Sequence, residues 1–191
     1  TFTQVAWPEH LEEFTLFANM STTLALRAFD GFAAAMQQPE PAMAAYKAMG
    51  LATQAYAAAY PLAAMLPPVN RFYLEPEVRE DEQLQQKLMA ADPERANVGV
   101  MHADNASDQR GGFSVYVPEY YEGESLPLVM ALHGGSGHGR QFLWSWLRAA
   151  RSNPCVLIAP TSSDRTWSLM NPETDSQRLH GLVTYAQEHW Q

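Results

Sequence analysis

The chemistry that this sequence offers is concentrated in a glycine-rich turn, Gly134-Gly-Ser-Gly-His-Gly139, which follows an apolar run that begins at Leu126. Glycine lets the backbone turn tightly, so that several N–H groups can point outward together. Groups arranged in this way bind negatively charged oxygen atoms. The turn therefore predicts an anion site, and the residues around it must indicate which oxygen it binds.

A nucleotide-binding loop is the first interpretation, and two features argue against it. The glycine spacing is that of a Walker loop, but Arg140-Gln141 stands where the phosphate-binding lysine and the metal-binding hydroxyl are required. A dinucleotide fingerprint also fails, because Gly135-x-Gly137 is followed three residues later by Arg140. We therefore expect no nucleotide cofactor.

A nucleophile elbow, with Ser136 as the attacking hydroxyl, is the second interpretation. Strand, turn and helix occur in the right order, but His138 replaces the final glycine of G-x-S-x-G. Only a hairpin precedes the strand, whereas an elbow normally follows more of the sheet. The candidate triad partners are Asp164 or Asp175 with His180 or His189. Nothing in their spacing favours a triad with Ser136.

Composition removes several other classes of function. The 12 Lys and Arg against 21 Asp and Glu give a net charge of -9, which disfavours nucleic acid and anionic membranes as partners. No apolar run is long enough to span a bilayer. The six histidines lack metal-binding spacing, so no metal site is expected. The single Cys155 is expected to be a small core residue. A lone cysteine also favours a reducing, cytoplasmic location, and secretion is left open.

Residues 1–92 predict a helical N-terminal domain. Apolar residues recur at three- and four-residue steps from 10 to 36, and again from 41 to 60, as on one face of a helix. Alanines on the second segment allow close packing, which favours a helical hairpin. A third helix is predicted for residues 76–91, because its first turns are acidic.

The first two helices carry a stripe of bulky apolar residues. Ordinary core faces have this spacing, so we expect the stripe to pack the hairpin on itself, on the following domain or on a second copy. A lipid or polymer surface is the alternative. The stripe comprises Leu11, Phe14, Phe29, Phe32, Met36, Tyr46, Met49, Tyr56 and Tyr60.

Residues 93–191 predict the beginning of an α/β sheet. Two alternating segments separated by turn formers indicate an antiparallel hairpin. Two uninterrupted apolar segments indicate strands covered on both faces, and a helix between them makes a βαβ unit with parallel strands. The predicted elements are strands at 98–103, 113–117, 126–132 and 155–159, a helix near 142–150 and a last helix at 175–190.

Four segments occur in an order that matches a known family: Ser114-Val-Tyr-Val-Pro118, Leu128-Val-Met-Ala-Leu-His-Gly-Gly135, Val156-Leu-Ile-Ala-Pro160 and Thr166-Trp167. Together they resemble the opening of an α/β-hydrolase, in the predicted phospholipase/carboxylesterase group near the polyhydroxybutyrate-depolymerase-like and feruloyl esterases. The resemblance covers residues 112–191 and does not reach the helical N-terminal part.

The resemblance implies hydrolysis of a neutral or apolar acyl ester by a serine nucleophile, without metal or organic cofactor. The backbone N–H of Gly135 would stabilise the oxyanion, while Gly134 and Ser136 would shape the loop. His133 would border the substrate-binding site from beneath the loop, as a structural residue rather than the general base. Trp167 would line the substrate pocket, and a partly exposed loop aromatic is its alternative role.

In the family, the G-x-S-x-G nucleophile and the acid and histidine of the triad follow the last helix predicted here. The sequence is therefore interpreted as the N-terminal part of a serine carboxylic-ester hydrolase, with an incomplete sheet and no expected activity by itself. Its partners would be the ester substrate and a missing C-terminal half, or another copy in a homo-oligomer. The alternative is a non-catalytic binding or assembly module that uses the helical hairpin.

Overall fold

The computed structural model describes residues 5–168 and 170–190, and the chain divides into two compact units, Thr1–Arg71 and Phe72–Gln191. Its helices and its four-stranded sheet confirm the predicted mixed α/β class. The domain boundary predicted after residue 92 stays a prediction. The compact unit that holds the sheet begins at Phe72. The elements are α1 (Glu12–Ala34), α2 (Pro41–Ala59), α3 (Pro67–Phe72), α4 (Glu82–Ala90), β1 (Gly99–Ala103), β2 (Phe113–Val117), β3 (Leu128–Met130), α5 (Gly139–Ser152), β4 (Val156–Pro160) and α6 (Pro172–His189).

Alanines form the contact between α1 and α2. The buried residues of these two helices are Ala18 and Ala28 on α1 and Ala48 and Ala55 on α2. Because alanine projects only a methyl group, the two helices can approach closely. A Cβ added at Gly31 would lie 3.4 Å from the Cβ of Ala48. The predicted hairpin is therefore present, with small residues in its seam.

The bulky stripe behaves differently from the expectation that it packs the hairpin on itself. Phe29, Phe32, Met36, Tyr46 and Met49 are all exposed. These five residues therefore do not pack the hairpin on itself, because the buried residues of the two helices are alanines. Packing of the stripe on the following domain or on a second copy stays a prediction.

The helix predicted for residues 76–91 is interrupted. A short 3-10 turn occupies Pro76–Val78, and α4 begins only after Asp81. The Asp81 carboxylate accepts hydrogen bonds from Gln83 N at 3.0 Å and Leu84 N at 3.1 Å. An aspartate in this position satisfies the first free N–H groups of a helix, so it starts α4 as a separate element.

The strand order in the sheet is β1-β2-β4-β3. β1 and β2 pair antiparallel, as predicted, and β3 and β4 pair parallel with α5 as their crossover. β4 is buried along its whole length, which confirms that prediction. The prediction that β3 is covered on both faces is wrong, because β3 lies at the edge of the described sheet and Val129 and Leu132 are exposed.

Helices cover both faces of the central strands. Val115 and Ile158 belong to a core cluster with Leu182 of α6 and Trp190. Side chains alternate along a strand, so Tyr116 and Leu157 face the other way. On that side, α5 contacts β2 and β4 and contributes fully buried leucines at 143 and 147. The two helices thereby fix the ends of the strands, from which the glycine turn emerges.

Two glycines in helices provide a matched test of how closely α5 approaches β4. A Cβ at Gly139 would lie 2.2 Å from Ala159 O, whereas a Cβ at Gly181 of α6 would meet nothing within 4 Å. We expect Gly139→Ala to lower the free energy of unfolding by about 1–3 kcal/mol. Gly181→Ala should raise it by about 0.5–1 kcal/mol, because alanine loses less chain entropy.

Urea unfolding of both variants and the unchanged chain measures these differences. The two substitutions change the unfolded chain alike, so the gap between them reports the contact at Gly139. Equal shifts would contradict the close approach of α5 to β4.

Candidate functional site

The glycine-rich turn lies between β3 and α5. Gly137 N donates to Gly134 O at 3.0 Å, which closes a tight turn. The backbone of Ser136 lies in the left-handed region with φ 58°, a conformation that is uncommon for residues other than glycine, asparagine and aspartate. Its backbone N–H donates to Arg165 O at 2.6 Å. Ser136 is therefore positioned through its backbone, and its N–H is already used.

Gly135 presents an N–H group that the turn leaves available. Gly134 and Gly135 are exposed, and within residues 5–168 and 170–190 the N–H of Gly135 has no hydrogen-bond acceptor. A Cβ built at either glycine would meet no atom of the described residues within 4 Å. An incoming oxygen therefore has open access to Gly135 N–H.

The N-terminus of α5 is not available for an anion, because its first N–H groups are capped. Gly139 N donates to Thr161 Oγ1 at 2.9 Å, and Arg140 N donates to His138 Nδ1 at 3.1 Å. The other ring nitrogen of His138 donates to Gln109 O at 2.8 Å. Among the described residues, the N–H groups of the turn that have no acceptor are those of Gly134, Gly135 and His138.

His133 holds the turn from below. Its Nδ1 donates to Gly134 O at 2.7 Å, and its Nε2 accepts from Ser162 N at 3.0 Å. This pattern requires a neutral ring with the proton on Nδ1. Burial lowers the pKa of His133, the bond to Gly134 acts in the opposite direction, and the charge of Arg110 lowers the pKa further. The ring therefore acts as a structural link between two loops.

Trp167 lies against this link. Its Nε1 donates to His133 O at 2.8 Å, and the two rings are 5.0 Å apart between centroids. The indole is half-buried. Contact of Trp167 or His133 with a substrate stays a prediction, and a polar contact from His133 would require one of its two bonds to break.

Arg110 joins the glycine turn to the loop after β4. Its guanidinium donates to Gly137 O at 2.7 Å, to Ser162 O at 3.1 Å and to Ser162 Oγ at 2.5 Å, and it also reaches Asp164 O. The planar fork of an arginine can bind several acceptors at once, which a lysine cannot do. Arg110 therefore fixes the spacing between the two loops.

A buried polar network continues beneath the turn. The side-chain amide of Asn105 lies 2.6 Å from Thr161 Oγ1 and 2.8 Å from Ser114 Oγ. Ser114 Oγ in turn lies 2.7 Å from Nδ1 of His102. Ser114 is fully buried, so this serine–histidine pair cannot meet a substrate. The network satisfies buried polar groups and supports the start of α5.

Sequence reasoning did not identify Arg110, Asn105, Thr161 and Ser162 as supports of the turn. Arg110 and Asn105 belong to the segment 104–112, which was interpreted only as a hairpin connection. The available signal was the length of this segment, which exceeds a tight two-residue turn. Long ordered loops often have packing or functional roles, so a role for residues 104–112 could have been expected.

Two of the four candidate triad partners, Asp175 and His189, are engaged elsewhere. Asp175 accepts from Ser168 N, and His189 Nδ1 donates to Tyr185 O at 2.8 Å. The Ser136 hydroxyl makes no hydrogen bond within the described residues. The hydrogen bonds of the described chain therefore do not join Ser136, His189 and Asp175 into a triad.

The described residues offer neither a metal-binding cluster nor a membrane-spanning helix. They hold no group of three or more His, Cys, Asp or Glu side chains arranged to bind a metal ion. Within the same residues, every helix is too short or too polar to cross a membrane.

A scan against protein-family models found no match to this chain, and searches of curated proteins and of solved structures found none either.

The role of Arg110 can be tested by hydrogen exchange. We expect Arg110→Lys to speed exchange of the Ser136 amide at least about tenfold, because each lost charge-assisted bond contributes about 1.5–3 kcal/mol. Amides of β4 serve as the internal control and should keep their rates. Unchanged exchange at Ser136 would show that Arg110 does not hold the turn.

His102 makes stability depend on pH. The pKa of His102 is lowered from 6.5 to about 4, first by desolvation of the ring and then by the charges of Arg140 and His138. Between those two pH values the unfolded chain binds a proton that the folded chain does not. We therefore expect the free energy of unfolding to fall as the pH drops from 6.5 toward 4.

The matched variant is His102→Asn, which keeps an acceptor for Ser114 Oγ but cannot titrate. Denaturant unfolding at a series of pH values should show a flatter dependence in this variant. The same dependence in both proteins would contradict the assignment to His102.

Proposed function

We propose that residues 93–191 contribute the oxyanion loop of a serine carboxylic-ester hydrolase of the α/β-hydrolase type. The nucleophile, the acid and the general base would come from residues outside this sequence. One observation carries the proposal: an exposed Gly135 N–H that has no acceptor among the described residues, in a turn that its neighbours hold in place.

The location of the turn supports this role. In α/β-hydrolases, one donor of the oxyanion hole comes from the loop between the third strand and the following helix. Gly135 lies in the loop between β3 and α5. The negative charge on a tetrahedral intermediate develops on the former carbonyl oxygen, and a backbone N–H already aimed at that oxygen stabilises it without reorganisation.

The surroundings of Gly135 favour such preorganisation. His133 and Arg110 bind the carbonyl groups of Gly134 and Gly137, so the carbonyls are turned toward the protein. Because each peptide group is planar, fixing the Gly134 carbonyl also fixes the direction of the Gly135 N–H. The positive charge of Arg110 nearby further favours an oxyanion.

The same contacts leave His133 without a proton-transfer role. Its Nε2 accepts from Ser162 N, and its Nδ1 proton is directed to Gly134 O. A general base must have a free lone pair within reach of the nucleophile. In the proposed reaction these residues therefore stabilise charge and shape the pocket, and the attack depends on a serine supplied from elsewhere.

A non-catalytic assembly module is the second candidate. The observation that favours it is the exposed row of large apolar residues on α1 and α2. A fluorophosphonate probe separates the two candidates, because it labels only an activated serine. Labelling of the native product that carries this sequence supports the hydrolase, and absence of labelling supports the module.

Gly135 offers a matched pair of variants in that native product. Gly135→Pro removes the N–H, while Gly135→Ala keeps it and adds a methyl group into open space. With short p-nitrophenyl esters, we expect kcat to fall about 10²–10³-fold for proline and to change little for alanine. Thermal unfolding of both variants checks that the fold is retained. Unchanged turnover of a folded Gly135→Pro variant would exclude Gly135 as the oxyanion donor.

A further inference from the structure

The hairpin of α1 and α2 leaves a set of large apolar side chains uncovered. Phe29 is 76% exposed, Phe32 58%, Met36 82% and Met49 59%. Single exposed apolar residues are common, but a contiguous group marks an interaction surface. These four residues are called the aromatic face below.

The four residues lie on one side of the hairpin. Phe29 and Phe32 lie three residues apart on α1, and Met36 follows four residues later in the 3-10 turn Ala35–Gln37 that extends this helix, so the three share a stripe. On α2, Met49 is one position past Ala48, which lies in the seam. Lys47, one position before Ala48, lines the opposite side.

That opposite side has a different character. It forms a cavity of about 520 Å³ whose lining includes Gly31, Ala34, Ala44 and Lys47, and no member of the aromatic face lines it. One side of the hairpin thus forms a cavity lined by both small and larger residues, including Met43 and Leu51, and the other side exposes the aromatic face. The aromatic face is therefore a distinct surface, separate from the seam and from the cavity.

The charge of the hairpin favours a second copy of the chain over an anionic lipid surface as the partner of the aromatic face. The aromatic face has no charged member, and residues 1–71 hold five acidic and three basic side chains. An anionic lipid surface requires a cluster of lysine and arginine, which this unit lacks, and the chain as a whole carries -9. Two nearly neutral hairpins can instead approach each other without strong repulsion.

The size of the hairpin also suits association with a second copy. At 1.5 Å per residue, α2 with its 19 residues is about 28 Å long and sets the shared length of the pair, and packed helices lie about 8–10 Å apart. The flat side of such a pair has a footprint of roughly 500–600 Å², which approaches the ~800 Å² of accessible surface per partner in a stable interface. Phenylalanine and methionine are also enriched in the cores of such interfaces.

We propose that the aromatic face is a self-association surface, on which two copies of this chain pack face to face about a two-fold axis and form a four-helix bundle. An isologous contact of this kind places the same residues of both copies opposite each other and closes after two subunits. It buries the bulky residues that the alanine seam leaves in water. The inference does not depend on the proposed hydrolase function.

The mass of the full chain in solution tests the proposal. Light scattering after size exclusion should give twice the monomer mass of 21.3 kDa for the unchanged chain. The double variant Phe29→Glu/Phe32→Glu should give 21.3 kDa, since two desolvated carboxylates per copy would oppose association. Glutamate is a good helix former, so α1 should be retained, and circular dichroism verifies this.

Met20→Glu is the matched control on the same helix. Met20 is exposed and lies nine residues before Phe29, which corresponds to two and a half turns and therefore to the opposite side of α1. This variant should remain a dimer. Loss of the dimer in Met20→Glu to the same extent as in the double variant would overturn the assignment to the aromatic face.

A second measurement covers the case in which the double variant loses its fold. Phe32→Cys should be joined into a covalent dimer by a short bismaleimide, whereas Met20→Cys should not. A monomeric unchanged chain at every concentration, or a monomer that binds neutral lipid vesicles through this face, would overturn the proposal. Equal cross-linking of the two cysteine variants would also overturn it.

Discussion

The glycine turn depends on one buried imidazole that must remain neutral. His133 binds the carbonyl of Gly134 with one nitrogen and the N–H of Ser162 with the other, and its own carbonyl accepts from Trp167. A charged ring would lose the acceptor that Ser162 needs, so burial and the bond from Ser162 N favour the neutral form, against the bond to Gly134 O. Two loops that are 29 residues apart in sequence are thereby held together by one side chain.

This constraint explains why the turn can leave a donor available to solvent. Backbone carbonyls need hydrogen-bond partners, and those of Gly134 and Gly137 find them in His133 and Arg110. The capped start of α5 removes the usual helix N-terminal anion site. The N–H of Gly135 has no acceptor among the described residues, which is what the proposed oxyanion role requires.

Secondary structure was predictable where a local pattern determines it. The alternating strands, the βαβ unit and the two long helices follow from apolar periodicity and turn residues. The bounds of β2 were predicted to the residue. Failures occurred where burial depends on neighbours far along the chain: β3 is an apolar strand at an edge, and Phe29 is an apolar residue in solvent. Periodicity identifies which residues share a face, but not what covers that face.

The sequence by itself determined the glycine turn, its place after an apolar strand, and its mismatch with the Walker and dinucleotide motifs, because these depend on the identity and spacing of adjacent residues. Tertiary structure decided which N–H groups stay available and which side chains support them. Arg110 and Asn105 lie in a loop without any local motif, and they reach the turn only because β2 pairs with β4. Hydrogen bonds between distant segments follow from strand order and helix packing, and no spacing within a single segment encodes them.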